Sequence, residues 1–377
     1  MGGGKQYIPA LFFAFLMQVS SGEPLDTSRV IGSNSCSTSG CHGGAGLNRG
    51  SYNIWKRYDP HFQASAILSN GRSKAMARNM GIGNATTAKS CTVCHDPMLN
   101  VSPAILAPSF KESGDIGKVS CANCHGGAEN WLLSHTRSDY PKDALRQLGM
   151  RQLSTPYQRA NNCVACHQTL SDELVTANHP PLIFELDGLL VAEPKHWEEE
   201  KDFSHAQTWL VGQAVALRES AAQAVREPSA RRTAEIEAIK ALLIATDTGW
   251  DLSEADLVSK ADAFAKKISS KPIEPAQSRS ILSLLTANRR PFQTGAFPKV
   301  EKAYRLWATG HYAERLALSI DRLNQSILAQ GTQAPIPDAM INGLFQAAKP
   351  PKSFNADISE NFVRKLDQLP PIKLNGD

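Results

Sequence analysis

The pattern of apolar and polar positions divides the chain in two. From residue 201 onward, Ala, Leu and Ile recur at three- and four-residue spacing, with Lys, Arg and Glu between them, which is the period of amphipathic helices. The pattern predicts helices over 205–228, 229–248, 253–270, 275–290, 299–309, 312–330, 338–348 and 358–369. Gly, Pro and Asn clusters such as TDTGWD, SSKPIEP and RRPFQTGAFP mark the breaks between them. This half reads as an antiparallel α-helical bundle or array, with its charged faces in solvent.

Residues 23–200 carry only short, interrupted patterns. Around SNSCSTSGCHGGAGLNRG the chain is rich in Gly, Ser and Asn, and its low bulk suits backbone wrapped closely on a flat group. Asp59 is placed to cap a helix opened by Pro60, with Phe62, Ala66 and Ile67 at roughly helical spacing. Residues 128–135 suit a short helix that sets Trp131 and His135 on one face. Strand-like alternation is scarce, so the whole is expected to be mainly α with little regular strand.

One apolar run stands apart. Lys5 precedes IPALFFAFLMQV at 8–19, and VSSG follows with small residues near Ser21 and Gly22, the layout of a cleaved secretory leader. An uncleaved anchor is the alternative, but twelve residues are short for crossing a bilayer. The expected organisation is a signal peptide at 1–22, a cysteine-bearing domain at 23–200 and a helical domain at 201–377. No transmembrane segment is expected once the leader is removed, and the location is periplasmic or otherwise exported.

All eight cysteines lie in the middle part, in four pairs, and a histidine follows each pair directly. The pairs are Cys36 and Cys41 before His42, Cys91 and Cys94 before His95, Cys121 and Cys124 before His125, and Cys163 and Cys166 before His167. C-x-x-C-H is the attachment signature of c-type haem: two thiols form thioethers to the porphyrin and the histidine binds iron. The first pair has four intervening residues, a less common form. Disulfides and zinc knuckles are the rival uses of such pairs. Neither explains a histidine after every pair when only 10 of 377 residues are histidine. Four covalent haem c groups are therefore expected, with His42, His95, His125 and His167 as iron ligands. Covalent haem is attached outside the cytoplasm, which agrees with the leader.

Each iron has a second face. His61, in the first turn after Asp59, reads either as a capping residue or as an axial ligand, and ligand is preferred because histidines are few. His135, four residues from Trp131, points at an iron. His179 is held by the two prolines after it, which fix its backbone at little entropic cost. Met98 lies only three residues after His95, on the proximal side of that ring, and reads as packing. His205 and His311 read as surface or core residues.

The segments C-x-x-x-x-C-H-G-G, IWKRYDPHFQASAIL, CHGGAENWLLSH and ANHPPLIFELD…PKHW, in this order, resemble the tetrahaem cytochrome c-554 family over about residues 30–200. The resemblance implies that His42 pairs with His135, His125 with His61 and His167 with His179. It also implies that the iron on His95 lacks a strong protein ligand. The first motif, the longer spacing from His42 to His61 and the C-terminal extension depart from the family. That extension, or the nearby His196, leaves His196, His205 and His311 as candidates to close the His95 site.

The apoprotein's formal charge of +4 is close to what four haems at about −1 each would cancel, counting iron, ring and propionates. With no long basic run, nucleic acid is not an expected partner. Three function classes follow. The first is an exported electron carrier with redox protein partners on either side. The second is a small nitrogen-oxide or hydroxylamine redox enzyme using an open iron at His95. The third is a subunit of a larger electron-transfer assembly or haem filament, docked through the helical half.

Overall fold

The computed structural model describes residues 28–46, 49–199, 201, 203–250, 256–329, 331 and 333–374. The leader expected at 1–22 lies outside them. Regular structure is helical throughout, and the strand pairing among the described residues is one isolated parallel bridge between Val30 and Leu106.

The cysteine-bearing part is made of short helices. They are α1 (Ser51–Tyr58), α2 (Gly71–Met80), α3 (Lys89–His95), α4 (Phe110–Ser113), α5 (Cys121–His125), α6 (Lys142–Gln147), α7 (Pro156–His167), α8 (Asp172–Thr176) and α9 (Leu186–Ala192). A 3-10 segment, Pro60–Ser69, follows α1. Its apolar residues form small separate clusters, such as Val30, Met98 and Phe110, or Leu68, Ala77 and Ala85. Clusters of this size do not by themselves offset the entropy of ordering so much irregular backbone.

The second part supplies the main core. Its helices are α10 (His205–Arg226), α11 (Ala230–Ala245), α12 (Leu257–Ser269), α13 (Pro275–Ala287), α14 (Arg305–Ala329), α15 (Asp338–Ala347) and α16 (Ala356–Asp367). Their starts are written in the sequence: Ser204, Ser229 and Asn355 accept from the backbone N–H three residues on, and Pro275 opens α13. Residues 206 to 218 of α10 are buried on every face, which makes α10 the central rod. It packs against α7, α9, α11, α12 and α14. The same core takes in Ala160 and Val164 of α7 and Leu186 and Leu190 of α9. The last cysteine motif is thereby built onto the helical half.

One boundary differs from the sequence expectation. The patterns at 299–309 and 312–330 run together as α14, unbroken at Gly310. A Cβ on Gly310 would lie 2.7 Å from Phe354 Cβ, so the glycine lets the loop before α16 pack tightly on the helix instead of ending it. The cost of a glycine in a helix interior, about 1 kcal/mol, is offset by that contact.

Candidate haem-binding site

The three regular motifs share one local geometry. Each sits in the last turns of a helix, and its histidine is the last helical residue: His95 of α3, His125 of α5 and His167 of α7. Helical spacing of three puts both thiols of a C-x-x-C pair on one side of the helix. Pro156 opens α7, and a capping box of Thr155 and Gln158 closes its start. Ser120 and Asn123 do the same for α5.

The first motif solves the problem differently. Its two extra residues break helical spacing, and the chain folds as turns after the 3-10 segment Ser33–Cys36. The His42 N–H donates to the Cys36 carbonyl at 3.0 Å and Cys41 N–H to Thr38 O at 2.9 Å, which draws both thiols and the histidine together. Gly43 makes this possible, because a Cβ there would lie 1.7 Å from the Ser37 carbonyl oxygen.

Opposite each motif histidine stands a second imidazole. Ring centres are 6.1 Å apart for His42 and His135, 6.1 Å for His167 and His61, 6.5 Å for His95 and His179, and 6.5 Å for His125 and His196. An imidazole nitrogen sits about 2.0 Å from a bound metal and its ring centre roughly 1.1 Å behind, so two rings on opposite faces of one iron have centres about 6.2 Å apart. Edge-to-face contact covers the same range. What sets these apart is that four of four motif histidines have such a partner. The residues fit a haem iron between each pair.

Three of these pairs differ from those implied by the sequence resemblance. His61 faces His167 rather than His125. His179 faces His95 rather than His167, so the His95 ring that was expected to stand alone has a partner. His125 faces His196, the residue considered only as a way of closing the His95 site. α7 packs on the helical half and carries His167 to the 3-10 segment Pro60–Ser69, and the chain after it returns to α3, where His179 meets His95. Arg72 reinforces that turn by donating to the Asn178 carbonyl at 2.8 Å.

The remaining candidates fall elsewhere. Met98 is buried with Val30 and Phe110. Residues 128–135 form turns with a short 3-10 end, and Trp131 meets His135 edge to face at 5.2 Å. His205 Nδ1 lies 2.8 Å from the buried Asp187 carboxylate. His311 is buried on α14, where Arg315 Nε reaches its Nδ1 at 3.3 Å.

Burial favours the neutral form of several of these rings, which is the form a metal takes. Burial lowers His95, His167 and His196, and pushes His125 down to about 4 with help from His196, His42 and His135. His61 is the exception: the Asp59 carboxylate raises it. Burial pushes the Cys121, Cys124 and Cys163 thiols up to about 12. None of the eight cysteines is in a disulfide.

The thiols also report which motifs are neighbours. Cys94 and Cys166 are within hydrogen-bonding reach, which lowers the first and raises the second. Cys36 raises Cys121, and Cys124 raises Cys163. In space the motifs therefore run first, third, fourth, second. His125 accordingly feels His42, and His167 feels His95.

No curated protein and no solved structure matches the chain. No helix among the described residues is long and apolar enough to cross a membrane. Residues 35–126, which hold the first three motifs, match the family model of cytochrome c554 and c-prime, so this stretch is similar to that family of cytochromes.

Proposed function

We propose that the protein is an exported tetrahaem cytochrome that carries electrons along four bis-histidine haems, in the order of the first, third, fourth and second motifs. Cys36 and Cys41, Cys91 and Cys94, Cys121 and Cys124, and Cys163 and Cys166 would hold the porphyrins. His42 with His135, His95 with His179, His125 with His196, and His167 with His61 would hold the irons. The observation that carries this reading is the set of four facing imidazole pairs, one for each motif.

Bound there, the haems supply the one-electron chemistry, and the chain supplies ligation, spacing and burial. Two histidines per iron, with no thioether sulfur from Met98, set comparatively low potentials. The helical half would serve as the scaffold on which α7 and α9 are fixed, with residues 23–200 as the haem domain. A donor protein would deliver electrons at one end of the row and an acceptor remove them at the other.

The enzymatic reading needs an open iron at His95, and the position of the His179 ring weighs against it. The test is the mass and the electron paramagnetic resonance spectrum of the mature protein. Four added haems with four low-spin ferric signals and no nitric oxide binding support the carrier. A high-spin ferric fraction of one haem in four, with nitric oxide binding, would overturn it.

A further inference from the structure

The Nδ1 atoms of the paired rings have unequal partners. The Nδ1 atoms of His95, His135, His179 and His196 lie against backbone carbonyls, those of Ala64 at 3.2 Å, Trp131 at 3.3 Å, Pro180 at 2.8 Å and Pro194 at 3.5 Å. The His61 Nδ1 lies instead 2.9 Å from the carboxylate of Asp59, which is buried. Glu193 joins them: one ligand atom each from Asp59, His61 and Glu193 lie within 4.8 Å of one another.

The arrangement is held from several sides. Asp59 also accepts from the His61 backbone N–H at 2.8 Å, which locks carboxylate and ring into one turn. The His61 carbonyl accepts from Val119 N–H at 3.0 Å, and Trp55 Nε1 donates to the Val119 carbonyl at 3.0 Å. These bonds hold the His61 backbone in place while its Nδ1 faces the Asp59 carboxylate.

We propose that Asp59 is the positioning residue of the His61–His167 pair and holds the potential of that haem below the value its two histidines would otherwise give. This rests on the ligation proposed above. A carboxylate accepting the ligand's N–H makes the imidazole a stronger donor to iron. It also places negative charge beside the site in a low-dielectric setting, where charge acts strongly. Reduction adds one electron and removes one unit of positive charge from the iron, so both effects favour the ferric form. A carbonyl partner, as at the other sites, does this more weakly because it bears no net charge.

The test is a potentiometric titration of the haem-loaded full chain with dithionite and mediators, followed by optical and electron paramagnetic resonance spectra. Asp59→Asn keeps an oxygen for the backbone cap and removes the charge. It should raise one of the four waves by about tenfold in its reduction constant, about 59 mV for a one-electron couple. The other three should move less, with four low-spin signals retained. Glu193→Gln leaves the cap and the ring hydrogen bond in place, so it tests the same field if Asp59→Asn does not fold. It should raise the same wave by a smaller factor. Waves that stay in place, or all rise together, would overturn the role of Asp59. A parent protein without four low-spin haems would overturn the ligation beneath it, and the proposal with it.

Discussion

The His196 ring stands 6.5 Å, centre to centre, from the His125 ring. His196 lies beyond the last cysteine motif, just before Trp197, which it meets edge to face at 5.2 Å. Arg159 of α7 lies over the Trp197 ring at 5.3 Å and pairs with Glu199 at 2.8 Å, so the loop bearing His196 is pinned to the helix bearing His167. On the proposed ligation, His196→Ala should convert one low-spin haem to high spin while the mass still shows four haems. Electron paramagnetic resonance on the variant reads this, and an unchanged spectrum would remove His196 from the ligand set.

His179 offers the complementary change. His179→Ala should open the iron on His95 and create a nitric oxide site absent from the parent protein. The expected readout is one high-spin signal, lost on adding nitric oxide, with the other three haems unaltered.

Arg315 is fully buried on α14 and donates to the Phe184 carbonyl at 3.3 Å, Gln213 Oε1 at 2.8 Å and Gln168 Oε1 at 3.2 Å. Gln168 in turn donates to Ser220 at 3.0 Å and to Glu235. Because Gln168 follows His167, this network fastens the fourth motif to the helical half. Arg315→Ala removes the donor to the Phe184 carbonyl and Gln213 Oε1 and should cost about 1–3 kcal/mol for each buried acceptor left unpaired, measured by denaturant unfolding of the haem-loaded chain.

Gly310→Ala sets two effects against each other. Alanine is the better helix former by about 1 kcal/mol, but its Cβ would lie 2.7 Å from Phe354 Cβ. Overpacking of this kind costs about 1–3 kcal/mol. The variant should be less stable, and a rise in melting temperature would show that Phe354 moves freely.

Glu314 gives a pH dependence. Burial raises its carboxyl to about 7, and its Oε2 is buried without a hydrogen-bond partner. A carboxyl raised on folding binds its proton more tightly in the native state. Its stabilisation is therefore complete below the unfolded value near 4.5 and lost as pH rises through 7. The native protein should lose stability between pH 5 and pH 8 relative to Glu314→Gln, by an amount on the order of a few kcal/mol. Parallel melting curves for the two proteins across that range would contradict it.

Much of this was legible in the sequence because the signals are local. Helical period placed the helices from α10 onward, and the histidine after each cysteine pair singled out the rings that each face a second imidazole. The pairing of rings is long-range and left no local mark. Asp59 before Pro60 told of a cap, but nothing nearby said that His61 would meet His167 rather than His125. His196 differs from His205 only in where its chain goes. Its clue, a histidine beside Trp197 after a proline, gains meaning once Arg159 is seen to hold that tryptophan.

The facing pairs also carry a timetable. Read from the N-terminus, His42 finds its partner once residue 135 has appeared, and His167 at once, because His61 is already waiting. His95 must wait for residue 179 and His125 for residue 196. On the proposed ligation the irons would therefore be completed in the order first, fourth, second, third as the chain emerges. The motif whose ligand arrives last lies between the first and fourth in space, so the row becomes continuous only when its final piece is delivered.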